Sequence, residues 1–425
     1  MSIAVLELND QNLLIQTEDG LVHTEPGFAH LTATGIETGD RARACAWQQT
    51  QHSYNQYWRQ LNQLALPSQQ NWARHHGDIA FAQLKQMLEA AGSPDGLIMA
   101  VPGSFSDEQL SLLLGLASAI PVQIAAVIDS ALATCANYSK PTLLVELQLH
   151  QAVISLVQPV DGRMSVSDQD IIPDLGVMHL YNAAARYISD RMIEDYRYDP
   201  MHNSEGEQTI YDQLPSWLMQ LGWEDEIAIS LPSPQGDLSL NLPKTVIAEL
   251  FSQRLRTLNV AIQKHSTANL CFAHSASLIP ALISEYANAD IASQDSAAEN
   301  CLDLQELRNG DELDRITNLA NGATRNSSSP KQKSPKKQGH VTHLLYRDHA
   351  YPLHQPLSMH IADDGLLLAN NLDSKAVFVV VVENQRLQVL HHDVNLDISL
   401  PSDCQPGQSL RIAGHELRLI EVSNA

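Results

Sequence analysis

At 425 residues the chain is long enough for two or three domains, and with 44% hydrophobic residues it can bury a sizeable core, which excludes global disorder. The 49 acidic residues outnumber the 26 basic ones, giving a net charge of -23. A field of that sign repels phosphate backbones and anionic lipid, so nucleic acid and membrane surfaces are poor partners for the bulk of the protein. The five cysteines (Cys45, Cys135, Cys271, Cys301, Cys404) are scattered and never spaced C-x-x-C, which argues against a disulfide framework or a cysteine-zinc site. The first ten residues carry Glu7 and Asp10 and no basic cluster, unlike a signal peptide, and the longest apolar runs are too short to span a bilayer. The expectation is a soluble, cytoplasmic protein.

Short β-rich runs, 3–8 and 13–16, flank the polar turn Asn9-Asp10-Gln11-Asn12 and predict a hairpin. Ala80, Leu84, Met87 and Ala91 fall on one face of a helix over 78–91, which Gly92 can stop. GLIMAV (96–101) reads as a buried strand. Ser106 with Gln109 three residues on predicts a capping box opening the next helix. Residues 122–128 are a short apolar strand, and LLVELQLHQAVISLV (143–157) reads as a second hairpin. Helices are expected from Asp174 onward and over 246–262, a strand over 269–272, and one more helix beginning at Pro280, since proline suits a first helical turn. Residues 321–339, NGATRNSSSPKQKSPKKQG, have linker composition and offer nothing to bury, with Arg325, Lys331, Lys333, Lys336 and Lys337 giving them a basic character. Limited trypsin digestion should therefore cut first at 331–337 and release a stable fragment of about eighty residues; primary cleavage elsewhere would count against that boundary. Residues 340–422 are almost wholly strand-like and predict an all-β sandwich or barrel.

The order of elements over the first two thirds of the chain, with several short motifs, resembles the nucleotide-binding domain of DnaK-type heat-shock chaperones and the wider actin-like ATPase superfamily. VPGSFSDEQ (101–109), followed by a small apolar segment and a helix through Tyr138, is similar to the family's V-P-x-x-F-x-x-x-Q stretch. TLLVELQLHQAVISLV sits where the family has its second phosphate hairpin, IIPDLGVMHLYNAAARYI where it has D-x-x-L-G-G-x-x-F-D, and LCFAHSASLIP where it has the adenosine motif V-G-G-x-S-R-x-P. The resemblance implies an α/β fold: a two-lobed actin/heat-shock-chaperone ATPase-like body over 1–320, then a tether and a β domain over 340–425.

In active members, glycines in two hairpins let backbone N–H groups approach the ATP phosphates, and an aspartate in each organises the metal. Here Glu7 and Glu146 stand at the aspartate positions. Asn9 to Asn12 replace one glycine run, Gln148 to Gln151 the other, and Ala273 and His274 replace the adenosine glycines. Asp129-Ser130 falls near the family's catalytic glutamate. The resemblance thus implies a vestigial cleft formed by Glu7, Glu146, Asp129, Asp174, Ala273 and His274, with no cofactor expected and no hydrolysis. Weak Mg-ATP or Mg-ADP binding through the two glutamates stays open.

The β domain faintly resembles forkhead-associated domains, through LSMHIADDG, LDSKA and QSLRIAGHELRL. Asp363 stands at the arginine position, the loop near Pro401-Ser402 lacks asparagine-glycine, and only Ser374 and Lys375 match the phosphate-reading set. Phosphothreonine binding is not expected. His340-x-x-His343 could chelate a metal, but no carboxylate or cysteine completes it. The expected function is a non-catalytic scaffold or adaptor that binds protein partners, with self-association open. The alternative is an ATP-dependent chaperone-like or assembly factor with an altered site.

Overall fold

A computed structural model describes residues 2–222, 224–277, 279, 286, 288–304, 307, 314–320, 341–347, 349–353, 356–362, 365–370, 373, 375–383, 386–392, 398–399, 408–413 and 415–420. The expected tether at 321–339, the helix from Pro280, and His340, Asp363, Ser374 and Pro401-Ser402 lie outside these residues. The chain divides into two compact units, Met1–Ser327 and Ser328–Ala425. The protein is of mixed α/β content with several sheets. Among the described residues no helix is long and apolar enough to cross a membrane.

Among its described residues the first unit contains two six-stranded sheets built on one plan. In the first, β1 (Ile3–Glu7), β2 (Leu13–Thr17) and β3 (Val22–Glu25) form an antiparallel meander. The helix α1 (His76–Ala90) leads to β4 (Gly96–Val101), which pairs parallel to β1. The helix α2 (Asp107–Ser118) then leads to β5 (Gln123–Asp129), parallel to β4, and a short strand Arg315–Ile316 completes that edge. As the sequence spacing requires, Ser106 accepts from the Gln109 backbone N–H and the Gln109 side chain accepts from the Ser106 N–H, closing the capping box of α2.

A single turn of helix, α3 (Ser130–Thr134), carries the chain into the second sheet. There β6 (Thr142–Leu147), β7 (Ala152–Val160) and β8 (Arg163–Ile172) repeat the antiparallel meander. Four helices follow: α4 (Val177–Tyr196), α5 (Ser204–Gln220), α6 (Lys244–Arg254) and α7 (Arg256–Lys264). A hairpin, Glu226–Leu231 with Leu238–Pro243, is inserted between α5 and α6. Then β9 (Asn269–Phe272) pairs parallel to β6, with Asp290–Ile291 parallel beyond it and Asn318–Ala320 closing the β8 edge. The structure corrects the single helix expected over 246–262: it is divided at Leu255, whose backbone (φ −80°, ψ 0°) departs from regular helix between α6 and α7 although its N–H still donates to the Phe251 carbonyl at 3.0 Å.

Period-two alternation decides which core each strand residue joins. On β1, Ala4 and Leu6 face the core formed with α1 and α2, while Ile3 and Val5 face the opposite way. On β6, Leu143, Val145 and Leu147 pack against α4, α5 and α6, and Leu144 points the other way. The inward-facing residues of both sheets meet in one shared core with Ala131 and Leu132 of α3 and Ala297 and Cys301 of the helix α8 (Ser296–Asp303). Each sheet is therefore covered on both faces, which explains why β4 reads as an unbroken apolar run rather than an alternating one.

Among its described residues the second unit contains a five-stranded and a four-stranded antiparallel sheet. Leu344, Leu410, Leu417 and Leu419 of one, and Leu357, Met359, Phe378 and Val380 of the other, form one core. Of the residues matched to phosphate reading, Lys375 is the described one. It is exposed and its backbone N–H donates to Asp373 Oδ1 at 2.9 Å. His343 sits on a strand beside Thr342, its Nδ1 2.9 Å from Thr342 Oγ1.

Candidate functional site

The two hairpin turns, residues 8–12 and 148–151, meet in the middle of the first unit. Asn9 Nδ2 donates to the Leu147 carbonyl at 3.1 Å, and the Leu149 N–H donates to Asp10 Oδ1 at 2.7 Å. The second turn is also closed on itself, with Gln151 Nε2 donating to Gln148 Oε1 at 2.6 Å. Its carbonyls are spent on the start of α4: the Val177 and Met178 N–H groups donate to the Gln148 and Leu149 carbonyls, both at 2.9 Å. First-turn N–H groups of a helix need partners, and here the hairpin provides them. Leu149 turns away into the core with Val177 and Tyr181, and His150 Nε2 lies 3.1 Å from Asn55 Oδ1, packed edge-on against His179. Burial and the neighbouring His179 push the His150 pKa down to about 4, so it is neutral at physiological pH.

Beside this clasp lies a small cleft that opens to solvent. Glu7, Asn9, Asn12, Thr134, Ala273, His274 and Ser275 are among its lining residues. Beneath it sits a group of buried acids. Asp129 caps α3 through the Ala131 N–H at 3.0 Å and pairs with Arg315 at 3.5 Å. Arg315 also donates to the Phe105 carbonyl at 3.2 Å and to the Pro102 carbonyl. Glu146 accepts from Ser130 Oγ at 2.8 Å through Oε1, whereas its Oε2 is buried with no partner. Burial, then the nearby Asp129 charge, raises the Glu146 pKa to about 8. Burial, then Asp295, raises that of Glu7 to about 7. Asp10 is raised to about 6 by burial, against the opposing pull of the Leu149 N–H. The physical cause is common to all three: carboxylates removed from water without enough donors favour their neutral form.

The residues singled out from sequence are thus distributed unevenly. Glu7, Ala273 and His274 line the cleft, and Glu146 and Asp129 lie buried together behind Ser130. Asp174 does not join them: it is exposed, at the end of the second meander, and its charge acts on His179. Sequence reasoning missed Asn9 and Asp10 as clasp residues rather than mere replacements for glycine. It also missed Arg315, nearly two hundred positions from Asp129, for which no local motif gives a signal. Among the described residues no group of three or more His, Cys, Asp or Glu is placed to hold a metal ion. The chain matches no protein-family model and no curated protein.

Proposed function

We propose that the first unit is a two-lobed body of the actin/heat-shock-chaperone type that has exchanged nucleotide turnover for a fixed arrangement, and that it serves as a scaffold or adaptor for protein partners. The repeated plan of the two sheets, each a three-strand meander continued by parallel strands, supports the architecture. The observation that carries the loss of turnover is the clasp. In this superfamily, positioned N–H groups from two glycine-rich hairpins receive the terminal phosphates. Here the Leu149 N–H is given to the carboxylate of Asp10, and Asn9 reaches across to Leu147. A phosphate entering between the turns would have to break both bonds and then face the carboxylates of Asp10 and Glu7.

Purified protein with Mg-ATP should release no phosphate above background, and Glu146→Ala should behave identically. Clear turnover that disappears in Glu146→Ala would reject the scaffold reading and support the alternative, an ATP-driven chaperone-like or assembly factor. Titration calorimetry with Mg-ATP and Mg-ADP should likewise show no saturable heat.

A further inference from the structure

We propose that the cleft beside the clasp is a binding site for a small primary ammonium ion carrying a short apolar body. This rests on the reading that nucleotide phosphates do not occupy the site. The unspent hydrogen-bonding capacity around the cleft is weighted towards acceptors: the Ser275 hydroxyl can both donate and accept, and one donor, Arg315 Nε, is buried without a partner beside Asp129. No described residue donates to the Glu7 carboxylate, which lines the cleft and stands at the end of β1. Ser275, 8% exposed, lines the same cleft, and its Oγ has no hydrogen-bond partner. Gln11, a third lining residue, has a buried Oε1 that accepts nothing. Just behind, the buried Oε2 of Glu146 is equally unused. Buried polar atoms normally find partners, so a concentration of orphaned acceptors marks a place for a donor. An ammonium group brings three donors and no acceptor, and its charge answers the acids. Leu14, Ala292 and Ala297 supply an apolar wall for the rest of such a ligand.

The charge balance points the same way. Glu7 is faced by Asp295 and, from the second sheet, by Glu146 with Asp129 alongside. Arg315 is drawn to Asp129 and two carbonyls, and His274 is held towards its neutral form by burial. Among the described residues lining the cleft there is no lysine or arginine to meet an anion. A bound ammonium would favour the ionised forms of Glu7 and Glu146, so binding should release protons and strengthen as pH rises from 6 to 8.5.

The test is titration calorimetry of the full chain with n-butylammonium at moderate salt, in buffers of different ionisation heats. The expected result is one site per chain, proton release on binding and weaker binding of tetramethylammonium, which has the charge but no N–H. Glu7→Gln should weaken binding about tenfold or more, as loss of a charged partner does. Ser275→Ala, which leaves the charge untouched, should weaken it several-fold. Glu89→Gln, an exposed acid on α1, should change nothing. No saturable binding at pH 8.5, equal affinity for tetramethylammonium, or unchanged affinity in folded Glu7→Gln and Ser275→Ala would each overturn the site. Because the phosphate-release assay does not involve the amine, failure here is separable from failure of the pseudo-ATPase reading.

Discussion

Glu146→Gln is expected to stabilise the protein at alkaline pH, by roughly 2–4 kcal/mol at pH 9, and to flatten its pH–stability curve. Glu146 is buried between the two sheets, with one oxygen held by Ser130 and the other without a partner. Its pKa rises from 4.5 to about 8, chiefly through burial, next through Asp129. The folded state therefore binds a proton that the unfolded chain releases between about pH 4.5 and 8. For a carboxyl raised in this way, the favourable contribution is complete below pH 4.5 and is lost as pH climbs through 8. Glu7, raised to about 7, and Asp10, raised to about 6, add contributions of the same sign that fade earlier. The wild-type melting temperature should thus decline from pH 5 to pH 9. Glutamine mimics the protonated acid, keeps an acceptor for Ser130 and presents an amide towards the remaining acids. Parallel wild-type and variant curves across that range, measured by thermal melts in matched ionic strength, would show that Glu146 is not the group responsible.

Much of the first unit could be read from the sequence because its signals are local. The strand 96–101, the capping box at Ser106, and the strand 269–272 depend on apolar continuity or on two residues at fixed spacing. The third strand of the second meander, β8, was not legible. Its sequence RMSVSDQDII is polar because its outer positions face solvent, and only pairing with β7 makes it a strand. The helix α5 carries Pro215 in its interior, which local rules treat as a breaker. Asn203 caps that helix through the Gly206 N–H at 2.8 Å, and Ile210, Tyr211, Leu214 and Trp217 bury its inner face, so packing overrides the proline. The candidate site divides along the same line. Glu7 and Glu146 could be found through the resemblance, which puts an acid in each hairpin, whereas Arg315 joins Asp129 only through the parallel pairing of a two-residue strand with β5.

Gly176→Ala is expected to cost about 3 kcal/mol or more, the upper range for forcing a methyl into a packed interior. Gly176 precedes α4 with extended backbone angles that alanine can adopt, so conformational preference is not the issue. Space is. A methyl built there would lie 2.4 Å from the Leu149 carbonyl oxygen and 2.5 Å from both the Gln151 nitrogen and the His150 carbonyl carbon. All three are backbone atoms, so no side chain can swing aside. Relief requires the 148–151 turn to move off α4, which would give up the Val177 and Met178 hydrogen bonds to Gln148 and Leu149. It would also draw the Leu149 N–H away from Asp10, loosening the clasp between the sheets. Gly115→Ala is the matched control. Gly115 lies inside α2 with nothing within 4 Å of its added methyl, and there alanine should stabilise by about 0.5–1 kcal/mol. Chemical denaturation of the two variants measures the contrast directly. If Gly176→Ala unfolds at the wild-type midpoint, the turn does not rest against α4 as described, and the clasp loses its support from that side.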